Sequence, residues 1–283
     1  MEPLLACQNP DGGWPYQQGE PSWTEPTAYA LMALMAKSPA HEGVGKGLRW
    51  LKATQRPDGG WPPQPAVRES SWLTSVVVLV GMAALGRDPF GRGVQWIVRQ
   101  TGAETGFFNR IRQFLTGDTQ GSHGGDGWPW FPGTSAWVTP TALSILALRK
   151  AARYAAFPGL RTRLDMGKAY LLAHACSDGG WNHGAARTLD RDARSYPETT
   201  GVALLALAGD GSAEVRKACI WARGQLPGCR ASEAESWLRL GLLAQGQLPP
   251  DVPPSARPAR TIQNAALARL AAAASRGLNP FLE

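Results

Sequence analysis

The sequence predicts an all-α protein, a ring of about five to six helical hairpins, and three observations carry that expectation. A short glycine–tryptophan phrase recurs along the chain, an apolar run follows each copy, and an amphipathic run precedes it. A phrase returning at intervals of roughly fifty residues marks a repeat architecture, whose units cannot bury their apolar faces alone. Hairpins stacked around an axis give an α/α toroid, with apolar helices inside and amphipathic helices facing water.

The phrase Gln8-Asn9-Pro10-Asp11-Gly12-Gly13-Trp14-Pro15 reappears as Gln55-Arg56-Pro57-Asp58-Gly59-Gly60-Trp61-Pro62. Weaker copies are Gly124-Gly125-Asp126-Gly127-Trp128-Pro129 and Cys176-Ser177-Asp178-Gly179-Gly180-Trp181. Paired glycines permit backbone conformations closed to other residues. Asp11, Asp58 and Asp178 can accept turn N–H groups, and the four indoles are expected to cover helix junctions. After each turn an aromatic entry leads into an apolar run: residues 23–27 into 28–36, 72–75 into 76–85, 137–141 into 142–148 and 196–200 into 201–207. A fifth copy, 236–239 into 240–244, has lost its turn. Pro26 and Pro140 suit a first helical turn, where no N–H is needed. The runs 43–54, 90–100, 163–175 and 212–224 mix Arg, Lys and Gln with apolar residues at helical spacing, the pattern of a helix with one wet face. Residues 259–276 form a lone helical run, expected to pack beside the first inner helix and close the ring. The Pro-rich stretch 247–258 is the strap that carries it there. A sixth hairpin is looked for in the insertion 101–123, where 106–115 reads as a short helix.

With 283 residues and 43% hydrophobic content the chain can form one large domain spanning 1–283. No run is long and apolar enough to span a bilayer, and the N-terminal residues lack the pattern of a signal peptide. The four cysteines are scattered without CxxC spacing, so neither a disulfide frame nor a cysteine zinc site is expected, and the setting reads as cytoplasmic. A net charge of +7 is not gathered into a basic stripe, which argues against nucleic-acid binding.

The Gln-x-x-Asp-Gly-Gly-Trp phrases at 8–14 and 55–61 resemble the repeats of the squalene/hopene cyclase and protein prenyltransferase superfamily. The resemblance covers most of the chain and implies a terpenoid cyclase-like α/α toroid holding an isoprenoid-like substrate, hydrophobic or a diphosphate, in its axial cavity. Peripheral membrane contact is compatible with such a substrate. Two departures stand out. The nearest match to the cyclases' Asp-x-Asp-Asp segment is Asp190-Arg191-Asp192-Ala193, without the last acid. No cysteine lies at an inner-helix entry, as the zinc site of the prenyltransferases requires. No metal or cofactor is therefore expected, with magnesium reserved for a diphosphate substrate.

Aligned by unit, Trp23, Trp72, Trp137, Tyr196 and Trp237 fall in register as an aromatic collar around one mouth, placed to contact substrate. Two residues on stand Glu25, Thr74, Thr139, Glu198 and Arg239. With the ring closed by the last helix, Glu25, Glu198 and Arg239 share one arc, an acid–base pair with an orienting cation. Helix caps joined by a structural salt bridge are the alternative reading. Residues 182–195, with His183, Asp190 and Asp192, are expected to lie over the mouth as a lid. Carbohydrate chemistry is the competing function. α/α toroids also serve glycoside hydrolases and polysaccharide lyases, and Gly12-Gly13-Trp14-Pro15 resembles a turn in one pectate-lyase family. In that case Glu25 and Glu198 are the paired carboxylates. A non-catalytic interaction ring is the third possibility.

Overall fold

The computed structural model describes residues 2–103, 126–184, 187–188, 191–248 and 258–283. The insertion helix at 106–115, His123, the first glycines of the third turn, Asp190 and most of the Pro-rich strap lie outside the described residues. Twelve α-helices occur among the described residues. They are α1 (Glu2–Leu5), α2 (Thr24–Met35), α3 (Glu42–Thr54), α4 (Leu73–Leu79), α5 (Met82–Leu85) and α6 (Arg87–Arg99). After them come α7 (Val138–Ala152), α8 (Leu160–Ala173), α9 (Pro197–Ala206), α10 (Ala213–Gln225), α11 (Ser232–Ala244) and α12 (Ile262–Ala274).

Six of these helices stand around an axis. In order round the ring, α2 packs on α4, α4 on α7, α7 on α9, α9 on α11, α11 on α12, and α12 on α2 again. Their near-continuous apolar sequences have no wet face, and nearly every residue of α2, α7 and α9 is buried. Outside them lie α3, α6, α8 and α10, each buried on a single face. The sixth inner helix is α12, so among the described residues the ring needs no further hairpin from the insertion.

Two details depart from the sequence reading. The second inner run is broken at Gly81 (φ +101°), so α4 stops at Leu79 and α5 resumes at Met82. The fifth inner helix starts at Ser232, a full turn before the entry expected at 236, which moves every side chain of that unit relative to the axis.

The glycine turns knit each unit to the next. Gly12 and Gly59 both have φ +95°, and a Cβ at Gly12 would lie 2.7 Å from the Lys46 carbonyl oxygen. Asp11 accepts from the Gly13 N–H and the Ser22 hydroxyl through one oxygen and from the Trp50 indole through the other. Asp58 repeats this set with Gly60, Ser70 and Trp96. The buried indoles of Trp14, Trp61, Trp128 and Trp181 donate to the carbonyls of Leu4, Leu51, Ile97 and Leu171. Their backbone N–H groups donate to the hydroxyls of Thr27, Thr74, Thr141 and Thr200. Each turn therefore ties the end of one helix to the start of an inner one.

Spacing around the ring is uneven. Gly201 on α9 lies against the Trp237 backbone of α11, and Gly241 lies against Gly201, so a Cβ at either place would collide with main chain. The α9–α11 seam is the tightest in the ring. Beneath it, at the opposite end of the axis, Gly277 (φ +89°) turns the chain so that Phe281 enters the ring among buried residues.

Candidate functional site

One cavity, about 310 Å³, opens at the N-terminal ends of the inner helices. Its walls have two tiers, set by the four-residue step that places side chains one above another on a helix. Glu25, Trp72, Thr139, Glu198, Glu233 and Gln263 make the upper tier, one residue from each inner helix. One turn deeper, Tyr29, Leu143, Val202 and Trp237 form the lower tier. Trp130 and His183 complete the rim.

The two rim residues, with Tyr16, come from equivalent places, each two residues beyond a turn tryptophan. Their carbonyls accept the first N–H of a neighbouring inner helix. Tyr16 takes that of Ile262, Trp130 that of Trp72, and His183 that of Val138, while Pro63 takes that of Thr24 in the same way. Each bond occupies one of the N–H donors at its helix start.

Glu25 is the most constrained group in the cavity. The Tyr16 hydroxyl donates to its Oε2, and the Gln263 amide donates to its Oε1 at 2.7 Å. Burial raises its pKa to about 7, with the Tyr16 hydrogen bond pulling it down and the Glu233 charge pushing it up. What remains exposed of this side chain faces the cavity it lines. Burial, then the charge of Glu25, raises the Tyr16 phenol well above the ordinary tyrosine range. Glu233 is also raised, first by burial and then by the charge of Glu198. The cavity thus combines a carboxyl about half protonated at pH 7 with two further carboxyls, under aromatic walls.

Of the residues singled out from sequence, Glu25, Glu198, Trp72, Thr139 and Trp237 line this cavity. Trp237 does so from the lower tier rather than the rim, because α11 begins early. The same shift takes Arg239 out of the expected arc. Its guanidinium pairs with Glu235 one turn back at 3.0 Å, both buried, and Glu233 holds the place assigned to it. The Glu25–Glu198–Arg239 cluster is corrected to Glu25, Glu198 and Glu233. Thr74 is corrected as well: its hydroxyl accepts the Trp61 N–H, as Thr27 does for Trp14. The chain runs one residue shorter there, from Ser71 to Thr74 against Trp23 to Thr27, so Trp72 faces the axis instead.

The remaining collar residues stand outside the cavity wall. Trp23 packs on Tyr16, with ring centres 5.5 Å apart. Tyr196, 46% exposed, stacks on His183 at 5.1 Å, and Trp137, 37% exposed, flanks the same imidazole. In the expected lid, Arg187–Thr188 pairs antiparallel with Arg191–Asp192, and Asp192 accepts from the Ser177 hydroxyl at 2.7 Å. Among the described residues no three His, Cys, Asp or Glu side chains stand close enough to hold a metal ion. No helix among them is long and apolar enough to cross a membrane.

Sequence reading placed His183 over the mouth but missed Trp130, Glu233 and Gln263 as cavity groups and Tyr16 as the partner of Glu25. For Tyr16 and Trp130 the signal was the constant offset from the turn tryptophan. For Gln263 it was the capping residue Thr261, whose hydroxyl accepts the Asn264 N–H, whereas the helix of Glu233 follows Ala231 and has no such cap.

Solved structures share this fold. The type II terpene cyclase MstE from Scytonema, in complex with geranylgeranyl dihydroxybenzoate, matches with a TM-score of 0.56 and 20% identity over 95% of this chain and 74% of that one. Endoglucanase Cel10, a family 8 glycosyl hydrolase from Klebsiella pneumoniae, matches with a TM-score of 0.61 and 15% identity over 96% of both chains. ent-Copalyl diphosphate synthase from Streptomyces platensis matches at 0.52 and 19% identity over 90% of this chain and 50% of that one. No protein-family model and no curated protein matches the sequence. At such identities the likeness establishes an α/α toroid and leaves the chemistry to the site.

Proposed function

We propose that the axial cavity binds and transforms a neutral, isoprenoid-like hydrophobic molecule, with Glu25 as the proton donor. The observation that carries this reading is a buried carboxyl held by two hydrogen-bond donors inside an aromatic-walled cavity, with a pKa raised to about 7 so that half of it keeps its proton at that pH. Proton transfer to an alkene or an allylic oxygen leaves positive charge on the ligand. Ring faces such as those of Trp72, Trp130 and Trp237 stabilise that charge by roughly 0.5–2 kcal/mol each. The carboxylate left on Glu25 keeps both its donors, Tyr16 and Gln263, which serve the anion better than the acid and so assist the transfer. Glu198 and Glu233 can take a proton back at the end of the reaction.

Size and charge narrow the ligand. A cavity of about 310 Å³ holds roughly ten water volumes. That suits a short prenyl chain, or the end of a longer one, rather than a whole folded triterpene. Three carboxyl groups at the mouth disfavour a diphosphate by charge. A geranylgeranyl-bearing molecule is the substrate of one structural neighbour.

Glycan hydrolysis is the second reading, favoured by three carboxyls around one cavity and by the glucanase neighbour. The lower tier argues against it. Leu143 and Val202 offer a sugar no partners for its hydroxyls, leaving only the Tyr29 hydroxyl and the Trp237 indole N–H for a ring that carries several, and burying hydroxyls unpaired is costly.

The test is incubation with prenyl alcohols, polyprenyl diphosphates, squalene and a β-1,4-glucan, followed by product analysis. Consumption of a neutral isoprenoid by the native protein, abolished in Glu25→Gln with binding retained, is the expected result. Release of reducing sugar with no isoprenoid bound would overturn it in favour of the glycan reading.

A further inference from the structure

The mouth cavity has a floor, and the floor rests on a residue from the far end of the chain. Tyr29 and Trp237, its two lower aromatic rings, lie 6.2 Å apart in an edge-on contact. Phe281 meets both, at 6.4 Å from Tyr29 and 5.5 Å from Trp237. The same Phe281 also belongs to the wall of a second cavity, about 920 Å³, at the opposite end of the ring. Three rings in mutual contact thus back the mouth cavity, with Phe281 directly behind its two lower aromatic walls.

Phe281 is held by more than packing. Lys150, a buried residue of α7, donates from Nζ to the carbonyls of Pro280 and Leu79, each at 2.8 Å. Arg153 donates to the Leu282 carbonyl, and the Phe281 N–H is taken by the Asn279 side chain. The backbone on both sides of the ring is tied down, so the tail cannot withdraw the phenyl without breaking these hydrogen bonds.

We infer that Phe281 sets the depth of the axial cavity and so determines how long an isoprenoid chain it accepts. This rests on the isoprenoid reading of the mouth cavity. The ring removed by Phe281→Ala is close in size to one isoprene unit, and the space it leaves adjoins Tyr29 and Trp237 directly. An isoprene unit adds about five carbons of apolar surface, enough for at least about a tenfold gain in affinity when buried.

The experiment titrates the full chain with prenyl alcohols of increasing length, reading the tryptophan fluorescence of the cavity. Native protein, Phe281→Ala and the milder Phe281→Leu are compared, with thermal melts to establish that each is folded. The preferred alcohol lengthens by one isoprene unit in Phe281→Ala, which binds that alcohol at least about tenfold more tightly than the native protein does. Phe281→Leu shifts in the same direction by less, and carries the test should the alanine variant not fold. An unchanged order of preference in a folded variant, with the native protein binding the series, overturns the role of Phe281 alone. No binding of any alcohol by the native protein overturns the isoprenoid reading, and this inference with it.

Discussion

Replacing Glu25 by Gln removes a carboxyl whose proton the fold retains to a higher pH than the unfolded chain does, which changes how stability depends on pH. An ordinary glutamate titrates at 4.5, and burial holds this one at about 7. Below 4.5 both folded and unfolded chains are protonated here, and Glu25 has no effect on the pH dependence. Between the two values the unfolded chain releases its proton while the folded chain keeps it, so stability falls as pH rises. Above 7 the loss is complete. Each tenfold in proton affinity is worth about 1.4 kcal/mol, so the ceiling is about 3 kcal/mol. Water in the cavity solvates part of the carboxyl and lowers this to about 2 kcal/mol. Glutamine cannot ionise, and its amide can still bond Tyr16 and, with the Gln263 amide turned over, Gln263. Urea unfolding of both proteins from pH 4 to pH 9 measures the effect. Their stabilities should agree at pH 4, with Glu25→Gln ahead by about 2 kcal/mol at pH 8. Parallel curves would refute the assignment of a raised pKa to Glu25.

Two other substitutions separate the residues that build the ring from those that face its cavity. Thr74→Val removes the acceptor of the buried Trp61 N–H and should cost about 1–3 kcal/mol in denaturant unfolding. Thr139→Val, at the cavity wall, should leave unfolding within about 0.5 kcal/mol and change ligand affinity instead. Arg239→Met removes the ion-pair partner of the buried Glu235 carboxylate and should destabilise by about 3–5 kcal/mol. Adding Glu235→Gln should recover part of that loss, and a double variant no more stable than the single one would count against the pair.

How far the sequence reached is clearest unit by unit. Where a turn tryptophan anchors the register, the unit alignment placed Glu25, Thr139 and Glu198 on the cavity wall. With the chain a residue shorter after Ser71, Thr74 was matched to Glu25 although it holds the place of Thr27, and a slip of two positions turns a helical side chain by about 200°. The fifth unit has no such turn, so nothing in its apolar run reveals that the helix starts at Ser232, and Arg239 was taken for the residue facing the axis in place of Glu233. Phe281 had no signal of its own. Its position depends on the turn at Gly277 and on Lys150, contacts that join residues far apart in the chain and follow no period.

The contact between Gly201 and Gly241 bears on how such a ring can admit a guest. Helices that meet through main chain have no intervening side chains to rotate, so that seam cannot yield by exchanging rotamers. Any breathing needed to swallow a ligand must fall on the joints where side chains interleave, such as those flanking α2. That seam then acts as a stiff stave of the barrel, and any movement that admits a guest is left to the remaining joints.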